Sequence, residues 1–81
     1  MDTKALRITT KIAQITRRSV DEIRSERSLR ELVHDSFALV EMAVELQEEF
    51  GVQMSGEDFA TIVTVKDLTS LISARMPAET G

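Results

Sequence analysis

The sequence predicts an all-α fold, a four-helix bundle with a long loop between helices 1 and 2 and a short helix 3. Apolar residues recur at spacings of three and four in several stretches, which is the period of an amphipathic helix. Short polar side chains precede these stretches, and glycine or proline follows two of them, as is typical of helix ends. No stretch alternates apolar and polar residues as a half-buried strand does. Helices must therefore supply the hydrophobic core.

The first predicted helix runs from about residue 4 to residue 17, and a long connecting segment follows it. One apolar stripe along this helix has spacings of three, four and three residues: Ala5, Ile8, Ile12 and Ile15. The connecting segment from Arg18 to about His34 is long for a loop in a compact domain. We therefore expect its apolar side chains to hold it across the bundle: Val20, Ile23, Leu29 and Leu32.

The second predicted helix is the longest and most regular in the chain. Asp35 or Ser36 offers a side-chain oxygen that caps its first turn, and the helix continues without Gly or Pro until Gly51 ends it. Its core face has spacings of four, three and four residues, with Met42 beside it: Leu39, Ala43, Leu46 and Phe50.

Two shorter helices complete the predicted bundle. Ser55, followed three residues later by Asp58, resembles a capping box that opens a short third helix. Thr64 repeats the pattern with Asp67, and a fourth helix then continues to just before Pro77. The apolar stripe of this fourth helix consists of Val65, Leu68, Leu71 and Ile72.

The length and composition limit what kind of protein this is. The 81 residues make one small domain, which we assign to residues 1–77, with residues 78–81 as a flexible tail. The chain has no cysteine, so no disulfide stabilises it, and no apolar run is long enough for a signal peptide or a membrane span. We therefore expect a cytoplasmic monomer without membrane contact.

Charge is unevenly distributed along the chain. Residues 1–34 carry eight basic and five acidic side chains, a net +3, whereas residues 35–81 carry two basic and nine acidic ones, a net −7. The negative half disfavours a nucleic-acid partner and favours a basic protein surface. The arginines of the positive half are interleaved with acids and have no aromatic companions, so we interpret them as a solvated face and not as a phosphate-binding patch.

The second helix carries a further apolar stripe beside its core face. Three residues form this stripe and four glutamates flank it: Phe37, Val40 and Val44, with Glu41, Glu45, Glu48 and Glu49. An apolar seam edged by carboxylates suits docking by a partner enzyme through hydrophobic contact and steering by Arg and Lys. The alternative is that Phe37 and Val44 pack against the connecting segment, and the sequence leaves both open.

Ser36 places a lone hydroxyl at the start of this acidic helix. Its neighbouring candidate base is His34, the only histidine of the chain, and no cysteine or second histidine completes a catalytic set. We therefore interpret Ser36 as a substrate for modification and not as a catalyst. For the same reason we expect no metal site, and we interpret His34 as a solvent-facing loop residue.

The run from residue 29 to residue 72 resembles the acyl carrier proteins. An Asp-Ser pair alone occurs by chance, but its spacing to the later motifs makes this resemblance specific. The shared features are Asp35 and Ser36 with a large apolar residue after them, LVEMAVELQEEF over residues 39–50, Gly51 with Val52, and TVKDL over residues 64–68. The chain departs from the usual family pattern near the serine at Val33, Phe37 and Ala38.

The resemblance implies that Ser36 bears a 4′-phosphopantetheine arm, which a Mg²⁺-dependent phosphopantetheinyl transferase attaches from coenzyme A while it recognises Asp35. The chain would then be a freestanding carrier of acyl thioesters for fatty acid or polyketide-type biosynthesis. Its further partners would be an acyl-loading ligase or acyltransferase, and a ketosynthase or other acyl-processing enzymes. Side chains between the second and third helices are candidates to line an acyl cleft, with core packing as the alternative: Phe37, Val40, Met42, Val44, Met54, Ile62 and Val65.

Other functions remain open at this point. One is an aminoacyl or peptidyl carrier of a nonribosomal peptide or alanylation system, although the acidic second helix argues for acyl cargo. Another is a non-catalytic helical interaction domain that never receives the arm. A hydrolytic enzyme is disfavoured, since a lone serine without a partner base is not a catalytic apparatus.

Overall fold

The computed structural model of the protein describes residues 3–76, and within this range the fold is all-α, as predicted. The helices are α1 (Thr3–Thr16), α2 (Leu29–Leu32), α3 (Ser36–Phe50), α4 (Gly56–Thr61) and α5 (Val65–Arg75), with a 3-10 turn at Val20–Glu22. The four predicted helices correspond to α1, α3, α4 and α5. The predicted tail at residues 78–81 and the predicted domain end at residue 77 lie outside the described residues. None of the helices between residues 3 and 76 is long and apolar enough to cross a membrane.

Side-chain caps begin four of the helices, because the first backbone N–H groups of a helix have no partner within it. Ser28, Asp35, Ser55 and Thr64 occupy these N-cap positions, and each accepts a hydrogen bond from a backbone N–H of the following turn. The capping boxes predicted for Ser55 and Thr64 are present. At the other end of α3, Gly51 takes the left-handed conformation with φ +66°, which glycine adopts without strain.

The core is built around α1, which packs on both α3 and α5. The predicted apolar stripes of these helices supply its fully buried side chains: Ile8, Ile12, Met42, Leu46, Leu68 and Ile72. Leu39 and Ile15 are partly buried and pack against this cluster. Each fully buried aliphatic side chain contributes about 1.5–3 kcal/mol relative to its exposed state, so this cluster dominates the stability of the bundle.

The connecting segment is more structured than predicted, since it contains the 3-10 turn and α2. Three of its four apolar side chains are buried as expected: Ile23, Leu29 and Leu32. The fourth expectation is wrong. Val20 is 42% exposed because it opens the 3-10 turn on the surface, and Ile23, directly after the turn, enters the core.

Backbone hydrogen bonds fix the connecting segment beside the loop between α4 and α5. The Leu29 N–H donates to the Val63 carbonyl, and the Val65 N–H donates to the Arg27 carbonyl, both at 2.9 Å. Two loops that are far apart in sequence therefore run side by side, and they bring α2 next to the end of α4.

α4 has no buried residue, so apolar burial alone does not hold it in place. A two-point ion pair joins it to the end of α5, where Arg75 donates to both carboxylate oxygens of Asp58 at 2.6 and 2.9 Å. Arg75 also donates to the Gln53 carbonyl at 2.9 Å. The Arg75 guanidinium and then the Ser55 backbone N–H lower the pKa of Asp58 to about 2. The ion pair therefore contributes to positioning α4.

Replacing Arg75 with Gln should lower the free energy of unfolding near neutral pH. The folded-state pKa of Asp58 lies below its ordinary value of 3.8, so the ion pair stabilises the fold above that value and loses its effect as the pH falls towards about 2. Urea unfolding of the parent and of Arg75→Gln should therefore differ most above about pH 5 and converge at acid pH. Arg24→Gln removes an exposed arginine from the connecting segment and should show no such convergence. A difference that stays constant down to about pH 2 would show that Arg75 acts through packing alone.

Candidate functional site

Ser36 is the first residue of α3, and it is exposed. Its hydroxyl makes no hydrogen bond to any residue between 3 and 76. Asp35 occupies the N-cap position, and its Oδ1 accepts a hydrogen bond from the Phe37 N–H at 3.0 Å. From the sequence, either of these two residues could cap the helix. The structure assigns it to Asp35 and leaves the Ser36 hydroxyl accessible.

The first turn of α3 also offers backbone donors beside this hydroxyl. Asp35 engages the N–H of Phe37, whereas the N–H groups of Ser36 and Ala38 meet no acceptor within the described part of the chain. Free donors together with the positive end of the helix dipole favour an anion at this position. The negative charge of Asp35 opposes that preference in part, so its main contribution here is to hold the first turn in shape.

α3 presents Ser36 outwards because its opposite face is anchored in the core. The anchoring side chains are each exposed by 7% or less: Met42, Ala43, Leu46 and Phe50. On the other side of the helix, Phe37, Val40 and Val44 are 69%, 48% and 45% exposed. Exposure of this extent argues against the alternative that Phe37 and Val44 pack against the connecting segment.

The four glutamates of α3 are all exposed but are not equivalent. Glu49 forms an ion pair with Lys11 of α1 at 3.5 Å. Glu41, Glu45 and Glu48 have no cationic partner among residues 3–76. The outward side of the helix, which we call the α3 face, therefore combines exposed apolar groups with unpaired carboxylates: Phe37, Val40, Glu41, Val44, Glu45 and Glu48.

A cavity of about 220 Å³ opens between α2, α3 and α4. Its lining consists of Leu29, Arg30, Leu39, Phe59, Ala60, Ile62 and Val63. Leu39 connects this cavity to the serine, because its N–H donates to the Asp35 carbonyl at 3.0 Å and it therefore lies in the first turn of α3. The cavity therefore lies about one helical turn along α3 from Ser36.

The predicted cleft residues and the lining of this cavity overlap at Ile62. Met42 and Val65 are only 1% and 2% exposed, so they pack in the core and do not line the cavity. Met54 is partly buried and packs against the core as well. The remaining three lie on the α3 face: Phe37, Val40 and Val44.

Several residues of the cavity were not predicted from the sequence, although two signals indicate some of them. Leu39 was assigned wholly to the core face, although it lies one turn after the serine. Phe59 is the only aromatic residue of α4, and it is partly buried. Leu29 was expected to be buried but not to line a cavity, and Arg30 could not be placed, because the helix that carries both was not predicted.

The family model described as a phosphopantetheine attachment site matches residues 6–72. This match extends from α1 into α5 and so covers most of the chain. The chain belongs to this family of carrier proteins. Members of the phosphopantetheine-binding family carry a covalent 4′-phosphopantetheine cofactor and are not themselves catalysts. The resemblance drawn from the sequence is thereby confirmed.

The residues of this carrier domain fit such a group. Covalent attachment requires an accessible hydroxyl, and Ser36 provides one at a helix start. A phosphodiester carries one negative charge, and the unengaged N–H groups of Ser36 and Ala38 are suitable donors to it. The cofactor also supplies a thiol, which the cysteine-free chain lacks.

Replacing Asp35 with Ala should lower the free energy of unfolding by about 1 kcal/mol, because the Phe37 N–H loses its acceptor. Asp35→Asn should preserve most of this stability, since an amide oxygen caps nearly as well as a carboxylate. Urea denaturation followed by circular dichroism measures both. His34→Ala changes an exposed neighbour and should have little effect. Equal losses for the Ala and Asn variants would show that charge, and not capping, is the contribution of Asp35.

Proposed function

We propose that this carrier protein bears its 4′-phosphopantetheine arm on Ser36 and carries acyl groups as thioesters for fatty acid or polyketide-type biosynthesis. The observation that supports the attachment point is the exposed, unbonded hydroxyl of Ser36 at the start of α3, inside the region that matches the family. The partners of such a carrier are its phosphopantetheinyl transferase, an acyl-loading ligase or acyltransferase, and a ketosynthase or other acyl-processing enzymes.

Ser36 acts in this proposal as the nucleophile that another enzyme activates. His34 is exposed, and the chain holds no second histidine or cysteine that could complete a catalytic set, so the transferase must supply the base. The Ser36 hydroxyl gives its proton to that base, and its oxygen forms the new bond to phosphorus. The pyrophosphate bond of coenzyme A breaks, and adenosine 3′,5′-bisphosphate leaves. Once attached, the group supplies a terminal thiol for thioester formation.

The first turn of α3 then holds the modified serine. The N–H groups of Ser36 and Ala38 donate to the negative charge, which stabilises an exposed anion by about 0.3–1 kcal/mol. Asp35 keeps the turn helical through its bond to the Phe37 N–H. The chain contributes position and recognition, and the bond making takes place on its partners.

Incubation with a broad-specificity phosphopantetheinyl transferase, coenzyme A and Mg²⁺ should add one phosphopantetheinyl group to the protein. Intact mass measures the addition and tandem mass spectrometry should place it on Ser36. Ser36→Ala should remain unmodified with unchanged circular dichroism, because the exposed hydroxyl makes no hydrogen bond within the described chain. Ser70→Ala, a control at an exposed serine of α5, should be modified like the parent. An unmodified parent protein would instead support a helical interaction domain without the arm.

The α3 face is the surface on which we propose that partner enzymes dock. Its exposed apolar side chains can be buried against a partner, and Phe37 is the most exposed of them. Its unpaired carboxylates attract a basic partner surface and accelerate the encounter. Asp35, directly before the modified serine, is proposed to be recognised by the transferase. Glu49 contributes less to docking in this proposal, since Lys11 already pairs with it.

Glu41→Lys and Glu48→Lys should each reduce kcat/KM for the modifying transferase and for acyl transfer to a ketosynthase by roughly five- to tenfold at low salt. The reduction should shrink at high salt, because the interaction is electrostatic. Glu26→Lys makes the same charge change at an exposed site of the connecting segment and should leave these rates nearly unchanged. Loss of helical circular dichroism in the α3 variants, or an equal effect of Glu26→Lys, would contradict docking through the α3 face.

The cavity beside Ser36 is proposed to shelter the cargo. Five of its lining side chains are large and apolar, which suits an acyl chain: Leu29, Leu39, Phe59, Ile62 and Val63. The acidic α3 face favours acyl over aminoacyl cargo, as the resemblance to acyl carrier proteins implies. Loading assays with the cognate ligase test this choice, since transfer of an amino acid would place the chain among the aminoacyl or peptidyl carriers.

A further inference from the structure

Arg30 is the one charged residue among the seven that line the cavity between α2, α3 and α4. The other six are five large apolar side chains and Ala60. Arg30 is exposed and follows the N-cap Ser28 by two residues, and its own backbone N–H donates to the Ser28 hydroxyl at 3.2 Å. The short helix α2 therefore holds the backbone of Arg30 at the edge of the cavity.

The charge of Arg30 is unpaired within the part of the chain that the structure describes. Arg27, three residues earlier, pairs with Glu31 at 3.8 Å. Glu31 also accepts a hydrogen bond from the Ser28 N–H at 3.2 Å, so this carboxylate is already engaged. The nearby Asp35 carboxylate caps α3. No acid of this region is thus committed to Arg30, and its guanidinium is available to an external anion.

The cavity therefore combines an apolar lining with one free cation. A purely hydrocarbon chain would satisfy the apolar residues but would gain nothing from the guanidinium. A chain that ends in a carboxylate satisfies both, because a guanidinium binds a carboxylate through two parallel hydrogen bonds. Since Leu39 places the cavity one helical turn from the attachment serine, the chain can reach it while it is tethered to the protein.

We propose that Arg30 is a specificity-determining residue that makes this carrier prefer acyl cargo with a second, distal carboxylate. This inference rests on the proposed attachment of the arm to Ser36. Arg30 selects among cargoes by pairing with the distal carboxylate, and it takes no part in bond making.

The arm's own phosphodiester is an anion of similar chemistry, and the test must separate the two. A contact between Arg30 and the phosphodiester would be present with every cargo and also in the unloaded thiol form. A contact with a distal carboxylate would appear with a dicarboxylic cargo alone.

The test loads the parent protein, Arg30→Gln and Arg24→Gln with adipoyl or hexanoyl groups, using the corresponding coenzyme A thioesters and a broad-specificity transferase. Cleavage of each thioester by hydroxylamine reports how well the chain is sheltered, after normalisation to the same thioester on free pantetheine. On the parent protein the adipoyl thioester should be cleaved roughly fivefold more slowly than the hexanoyl thioester. Arg30→Gln should abolish this difference, and Arg24→Gln, a matched change at an exposed arginine, should retain it. The ³¹P resonance of the unloaded arm should not respond to Arg30→Gln, because the guanidinium does not contact the phosphodiester in this proposal.

Several results would overturn the proposal. Equal protection of both cargoes on the parent protein, or an unchanged difference in Arg30→Gln, would remove the role of Arg30 in selection. An equal ³¹P shift in the adipoyl and unloaded forms would assign Arg30 to the phosphodiester instead. Failure of the parent protein to accept any group from coenzyme A is a separate outcome, because it rejects the attachment itself before cargo is compared.

Discussion

Burial of one face of α3 determines where the functional residues of this protein lie. The helix contributes Met42, Leu46 and Phe50 to the core that α1 and α5 complete. With that face fixed, the first turn projects at the edge of the bundle, and Ser36 is exposed without strain at the helix start. The same orientation directs the α3 face outwards. Attachment point and docking surface therefore follow from a single packing arrangement.

A second constraint comes from the pairing of the connecting segment with the loop between α4 and α5. The bonds from Leu29 to Val63 and from Val65 to Arg27 place α2 beside α4. Neither short helix could hold this position alone, since isolated helices of such length are unstable in water. The ion pair between Asp58 and Arg75 fixes the other side of α4. Together these contacts build the cavity between α2, α3 and α4.

Much of this fold could be predicted from the sequence because its main signals are local. The apolar periodicity of α1, α3 and α5 and the polar residues that cap the helices are readable within a few residues. The exposed position of Ser36 follows from the same signals. α2 has four residues, which is too short for a helical period to appear. The exposure of Val20 depends on how one 3-10 turn is oriented, and composition does not reveal that.

The cavity and the ion pair were beyond prediction for a different reason, since both join residues distant in the chain. Arg75 and Asp58 are separated by 17 positions. Met42 and Val65 are residue types that can line a cleft, but both are buried in the core. The sequence does not distinguish a buried apolar side chain from one that lines a cleft. The position of Arg30 in the cavity lining became apparent only from the structure.

A hydroxyl held on the first turn of a core-anchored helix should accept the arm without disturbing the bundle. Amide NMR spectra recorded before and after attachment from coenzyme A test it most directly. Shifts are expected in the first turn of α3 and along the cavity, whereas the amides of Met42, Leu46 and Ile72 should be unchanged. Shifts spread through these core amides, or an unaltered Ser36 resonance in a modified protein, would contradict it.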